Sequence, residues 1–298
     1  MRKLIEKIKE KKSAVVVGLD PRVDQLPGEI RAFYKLDDQF TLEAAAEAFL
    51  AFNKGIIDAV HDLVPAVKPQ IAFYEALGVA GYKAYAETVA YAQEKGFYVI
   101  GDIKRGDIGS TSVAYAKAHF EVIPTDSITI NPYLGVDGIE PFLQYAREAG
   151  KGLFILVKTS NPSSSQLQDR DVEGANLYSR VASLVTEWGA DCKDETGYSP
   201  VGAVVGATHP SELTQLRSEI PHGFFLIPGY GAQGGGGADV VGGFDQKGLG
   251  ALVNSSRGII FAYQKRGGDF RQAARQAVVE MNADINGALE AAGKAYWK

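Results

Sequence analysis

The chain has 298 residues, a length that a single α/β barrel can use as one unit. Apolar residues make up 46% and charged residues 22%, an ordinary globular balance with ample material for a core. The net charge of -5 argues against a nucleic-acid partner, which wants a basic face, so a small anionic substrate would need locally placed cations.

The chain opens with MRKLIEKIKEKK, which is charged, alternates in sign and lacks the apolar centre of a secretory signal. Beyond it, short β-rich runs alternate with longer helix-like stretches. The predicted strands are Ala14–Asp20, Ala66–Tyr74, Phe97–Lys104, Ser127–Tyr133, Leu153–Ser160, Val201–Ala207, Phe224–Tyr230 and Ala251–Arg257. Most are rich in Val, Ile, Leu and Phe without strict alternation, which suits parallel strands covered on both faces. Between them, stretches such as GYKAYAETVAYAQEKG and GIEPFLQYAREAG are amphipathic, stop at glycine and are long enough for crossover helices.

Eight such β units predict a closed (β/α)₈ TIM barrel formed as a single domain over residues 1–298. A doubly wound open sheet is the alternative. It would want a G-x-G-x-x-G turn after the first strand, where this chain reads GLDPRVDQLPG. Two segments lack obvious regular structure: Asn161–Asp171, rich in Ser and Gln, and the glycine-crowded Gly231–Asp245. Both follow strand C-termini, where barrel active sites lie. No apolar run reaches the ~18–20 residues needed to span a bilayer, so a soluble, cytoplasmic protein is expected.

The informative residues are charges at the ends of buried-type strands. Strand one ends in Asp20, strand two carries Lys68, and strand five ends with Lys158 and Ser160. Strand three runs into GDIKRGDIGST, with Asp102, Lys104 and Asp107. Residues i and i+2 of a strand project to one side, so Asp102 and Lys104 share the barrel mouth, and Lys68 reaches it from the adjacent strand. A carboxylate between two ammonium groups stays ionised and keeps both lysines charged. Such an array is costly to bury unless fully paired, which points to function, although an ion-pair network that merely fills the barrel mouth has the same spacing.

The glycine-rich run holds Gln233, and strand eight ends at Arg257. Backbone N–H groups without side chains can converge on an anion, and barrels bind phosphate after strands seven and eight. A flexible linker is the other reading of that run. His61, His119, His209 and His222 do not cluster, with His209 expected to start a helix ahead of Pro210. No His/Cys/carboxylate set has zinc spacing, and G-x-S-x-G is absent. The lone Cys192 excludes an internal disulfide, and Asp191 and Asp194 should raise its thiol pKa. The aromatic residues read as core and helix packing.

GDIKRGDIGST resembles the D-x-K-x-x-D-I-x-x-T signature of the orotidine 5'-phosphate decarboxylase family. VGLDPR, VKPQIAFYEALG, ITINPYLGVDG, LVKTSNPSS, IPGYGAQGG and NSSRGI look like the same family, in the same order. The inserts around strand one and after strand five resemble its longer bacterial branch. The resemblance implies decarboxylation of orotidine 5'-monophosphate to UMP, with no metal and no organic cofactor. It implies that Asp20 binds ribose hydroxyls, that Lys68 contacts ribose and orients the carboxylates, and that Asp102 sits beside the substrate carboxylate. Lys104 would donate the proton to C6, its charge supported by Asp102 and Asp107. Asp107 and Thr111 would reach the neighbouring site of a homodimer. Ser160 would meet the pyrimidine, with Thr159 and Ser163 as close alternatives, and Gln233 and Arg257 would hold the phosphate.

Two other functions fit parts of the pattern. A metal-dependent sugar-phosphate lyase or epimerase on a related barrel would need a divalent ion, which Lys104 between Asp102 and Asp107 disfavours. A non-catalytic nucleotide-phosphate sensor would keep Asp20, Gln233 and Arg257 without needing the lysine–aspartate–lysine array.

Overall fold

The computed structural model describes residues 1–208, 210–231 and 235–297. Eight parallel strands close into a barrel: β1 Val15–Leu19, β2 Ala66–Pro69, β3 Tyr98–Arg105, β4 Ser127–Ile130, β5 Gly152–Lys158, β6 Ser199–Val205, β7 Gly223–Pro228 and β8 Ala251–Ser255. Each strand pairs with its neighbours in sequence, and β1 closes on β8 through Val15 opposite Val253. The strands are buried almost throughout, which explains their unbroken apolar runs.

The period of two sorts side chains to two cores. Val15, Val17, Val67, Val99 and Ile128 join the helices in an outer layer. Val16, Ala66, Ile100, Phe154, Phe224 and Leu252 fill the barrel interior. Leu4, Ile5 and Ile8 of helix Arg2–Lys11 join that interior cluster beside Tyr98 and Tyr198, which stand at the strand N-termini. The charged opening segment is therefore a plug for the lower end, with its apolar stripe turned inward. Burying residues such as Leu4 and Ile8 contributes roughly 1.5–3 kcal/mol each.

Several predicted boundaries shift. The second strand stops at Pro69, because Gln70 caps helix Ile71–Glu75 by accepting from the Ala72 N–H at 2.9 Å. The eighth stops at Ser255, and Arg257 opens the short helix Arg257–Ile260. The segment after β5 holds a 3₁₀ turn, Pro162–Gln166, and Asp171–Val172 pairs with Ala175–Asn176 as a small antiparallel hairpin. The segment after β7 includes the short helix Gly237–Val240. His209 lies outside the described residues, and the next helix runs Pro210–Glu219. No helix among the described residues is long and apolar enough to cross a membrane.

Candidate active site

A cavity of about 1120 Å³ opens at the C-terminal ends of the barrel strands, lined among others by Asp20, Lys68, Asp102, Lys104, Ser160 and Arg257. Its floor is the predicted array. Lys68 donates to Asp102 Oδ2 at 2.6 Å, and Lys104 pairs with Asp102 Oδ1. Lys68 and Asp102 are almost fully buried, while the Lys104 side chain is 44% exposed, so the second ammonium is the one that faces the open cavity.

Thr129 of β4, which the sequence reading passed over, completes the group. Its hydroxyl donates to Asp102 Oδ1 at 2.9 Å and accepts from the Ile103 and Lys104 N–H groups at 3.0 and 3.1 Å. Lys104 has φ of 46°, a left-handed conformation that costs a non-glycine residue about 1–2 kcal/mol. One hydroxyl therefore fixes both the carboxylate and the backbone turn that brings the Lys104 ammonium onto it. The signal was a threonine in an apolar strand, ITI, next to the charged end of β3.

Burial works against ionisation of Asp102, but the Lys68 ammonium and then that of Lys104 outweigh it and hold the carboxyl well below the usual range. Burial likewise opposes the charge on Lys68, yet Asp102 and then Asp20 raise its pKa above the ordinary lysine value. Lys68 and Asp102 are therefore a fixed pair of opposite charges at neutral pH.

Asp20 lines the cavity, and its Oδ1 is buried with no hydrogen-bond partner among the described residues. Ser160 lines it too. Of the two alternatives to Ser160, Thr159 has its hydroxyl engaged by Gln168 and Asn161, and Ser163 accepts from Asn161. Arg257 lines the cavity as well. Gln233 lies outside the described residues.

Other predicted charges go elsewhere. Asp107 does not brace Lys104 within the chain: its Oδ1 accepts from the Ile108 N–H at 2.8 Å, at the start of helix Gly109–Lys117, which also carries Thr111. Lys158 leaves the barrel mouth because the register of β5 against β6 shifts between Leu156 and Lys158. Its ammonium sits 5.1 Å from the Tyr178 ring centre and pairs with Asp169 and, at 3.8 Å, with Glu212. Cys192 is buried, and burial, then Asp191, pushes its thiol up to about 11. Asp194 plays no part there, being bound to the Met1 amino group at 3.0 Å. Among the described residues no group of three or more His, Cys, Asp or Glu side chains is placed to hold a metal ion.

Fold and site together define a (β/α)₈-barrel protein with a lysine-lined cavity at the C-terminal ends of its strands. A family model described as orotidine 5'-phosphate decarboxylase / HUMPS family matches residues 14–275. An orotidine 5'-phosphate decarboxylase of Rhodopirellula baltica is 44% identical over 289 residues, covering 92% of this chain and 95% of the relative. One from Petrotoga mobilis is 45% identical over 282 residues, covering 93% and 94%. The solved structure of Leishmania donovani OMP decarboxylase is similar with a TM-score of 0.75 at 33% identity, covering 95% of this chain and 97% of that one. This chain belongs to the orotidine 5'-phosphate decarboxylase / HUMPS family.

Proposed function

We propose that this chain is a carboxy-lyase that converts orotidine 5'-monophosphate to UMP and CO₂ in de novo pyrimidine synthesis, using its own side chains and no cofactor. The observation that carries the reading is the Lys68–Asp102–Lys104 array on the cavity floor, with Lys68 and Asp102 buried and Lys104 facing the cavity. The decarboxylase names of the relatives favour this activity over a metal-dependent lyase or a phosphate sensor.

The chemistry needs a cation where carbon becomes negative. The bond from C6 to the carboxylate breaks heterolytically, CO₂ leaves, and the electron pair stays on C6 in the ring plane, outside the π system. In this reading the Lys104 ammonium stabilises that pair and then gives its proton to C6, leaving a neutral amine that solvent reprotonates. A charge already held in place need not reorganise as the carbanion forms, and this is usually the largest catalytic contribution. Asp102 holds the ammonium in place, and Lys68 neutralises the other carboxylate oxygen and faces the ribose. Repulsion between Asp102 and the substrate carboxylate is a secondary contribution.

The remaining roles follow the placement of the groups. Asp20, with an unpartnered buried oxygen, receives the ribose hydroxyls, and Ser160 receives the pyrimidine. Arg257 and Gln233 hold the phosphate, whose binding energy is spent far from the reacting carbon. Residues 1–298 act as one domain, in the cytoplasm, and two copies pair through the face that carries Asp107 and Thr111. Exposed apolar side chains stand near them in the chain, with Ile108 53% and Val113 52% exposed, and Tyr133 of the next loop is 82% exposed.

The test is to follow the loss of orotidylate absorbance with the purified chain, with and without EDTA. The reading expects turnover to UMP that EDTA leaves unchanged. Turnover abolished by EDTA and restored by a divalent ion would favour the metal-dependent alternative, and binding without turnover would favour a sensor.

A further inference from the structure

The loop after β5 is organised around Gln168. Thr159, Ser160 and Asn161 line the cavity. Ser160 is closely seated, since a Cβ at Gly206 would stand 2.9 Å from its Cβ and one at Gly229 3.6 Å from it. Behind this segment Gln168 folds back on Thr159. Its Oε1 accepts from the Thr159 N–H at 2.9 Å, and its Nε2 donates to Thr159 Oγ1 at 2.7 Å.

A backbone N–H can only donate, which fixes the orientation of the Gln168 amide. The Thr159 hydroxyl, accepting from that amide, then gives its own proton to Asn161 Oδ1 at 2.6 Å. Asn161 in turn donates through Nδ2 to Ser163 Oγ at 3.1 Å. One backbone N–H thus sets the polarity of the whole chain of bonds, and the Ser160 hydroxyl has no partner among the described residues.

Gln168 is itself anchored. Its N–H donates to Ser164 O at 2.8 Å, and its carbonyl accepts from the Tyr178 N–H at 3.0 Å. The next residue, Asp169, pairs with the buried Lys158. Two successive residues of the loop therefore grip two successive residues at the end of β5, just ahead of Ser160.

We propose that Gln168 is a positioning residue that sets the base-recognising side of the cavity, holding Ser160 and Asn161 for a planar pyrimidine while leaving phosphate capture untouched. This deepens the proposed function and rests on it, because the ring it serves is the pyrimidine of the nucleotide. The hydrogen bonds of Gln168 go to neither Arg257 nor the array on β2 and β3.

The test is calorimetric titration of the wild-type chain, Gln168→Leu and Gln168→Glu with UMP and with ribose 5-phosphate. Leu removes both arms of the clasp. Glu keeps the acceptor for the Thr159 N–H but lacks the Nε2 donor, so the Thr159 hydroxyl turns to the carboxylate and releases Asn161. Gln168→Leu is expected to weaken UMP binding by about tenfold or more and ribose 5-phosphate by no more than about twofold, with Gln168→Glu between wild type and Leu. Equal weakening of both ligands, or unchanged UMP affinity, would overturn the proposal. If Gln168→Leu fails to fold, the same comparison with Gln168→Glu decides. A wild-type chain whose affinity gains nothing from the uracil ring would overturn the functional reading itself, and this proposal with it.

Discussion

A carboxyl group as enclosed as Asp102, 6% exposed, would normally hold its proton. Two ammonium groups reverse that. Because its folded pKa is depressed, Asp102 contributes stability that is present above the ordinary carboxylate value and is lost as pH falls through the folded one. Lys68 has the opposite sign: its folded pKa is raised, so its contribution is complete below the ordinary value and is lost only as pH rises past the raised one. Asp102 and Lys68 therefore keep their charges throughout the neutral range. His119 is the contrasting residue. It is 2% exposed, and burial, then Arg105, lowers its pKa from 6.5 to about 4. The unfolded chain takes up a proton as pH drops below 6.5 while the folded chain stays neutral until about 4, so stability is present above 6.5 and falls across that window. The full difference amounts to about 3 kcal/mol. His119→Phe should lose less of its urea midpoint than wild type between those two pH values. An identical fall in both proteins would remove His119 as a source of acid sensitivity.

At the level of elements, the strands were legible because both faces of a parallel barrel strand are apolar. The convergence of Lys68, Asp102 and Lys104 was legible because it needs only the period of two and adjacency of β2 and β3. Strand ends were harder. IAFY, residues 71–74, and Arg257 read as continuations of strands, since sequence alone does not reveal where extended backbone turns helical. The small hairpin after β5 turns through Glu173 and Gly174, both at positive φ, and Glu-Gly is a weaker turn signal than Asn-Gly. The outward direction of Lys158 depends on a register shift in β5, and the role of Thr129 on the left-handed backbone at Lys104. Neither leaves a mark on sequence spacing, so the core of the site could be read and its supports could not.

For the whole molecule, the barrel separates two tasks. The N-terminal helix seals one end with apolar side chains, and the opposite end carries the charges, the cavity and the long loops. Asp107 and Thr111 stand apart from that cavity, beside exposed Ile108 and Val113, which suits groups that act on a second copy. If sites are shared, Lys104→Ala and Asp107→Ala should each be nearly inactive alone. Mixed dimers should regain activity because one of their two sites is intact, about a quarter of all sites after random exchange. No recovery in verified mixed dimers would count against sharing.

The proposed chemistry turns on the ammonium that rests against Asp102 and faces the open cavity. The most direct measurement is kcat for Lys104→Ala on orotidine 5'-monophosphate, taken on protein whose melting curve matches wild type. A fall of about a thousandfold or more is predicted, since the variant loses both the fixed cation and the proton source. A folded variant that keeps more than about a tenth of wild-type turnover would contradict it.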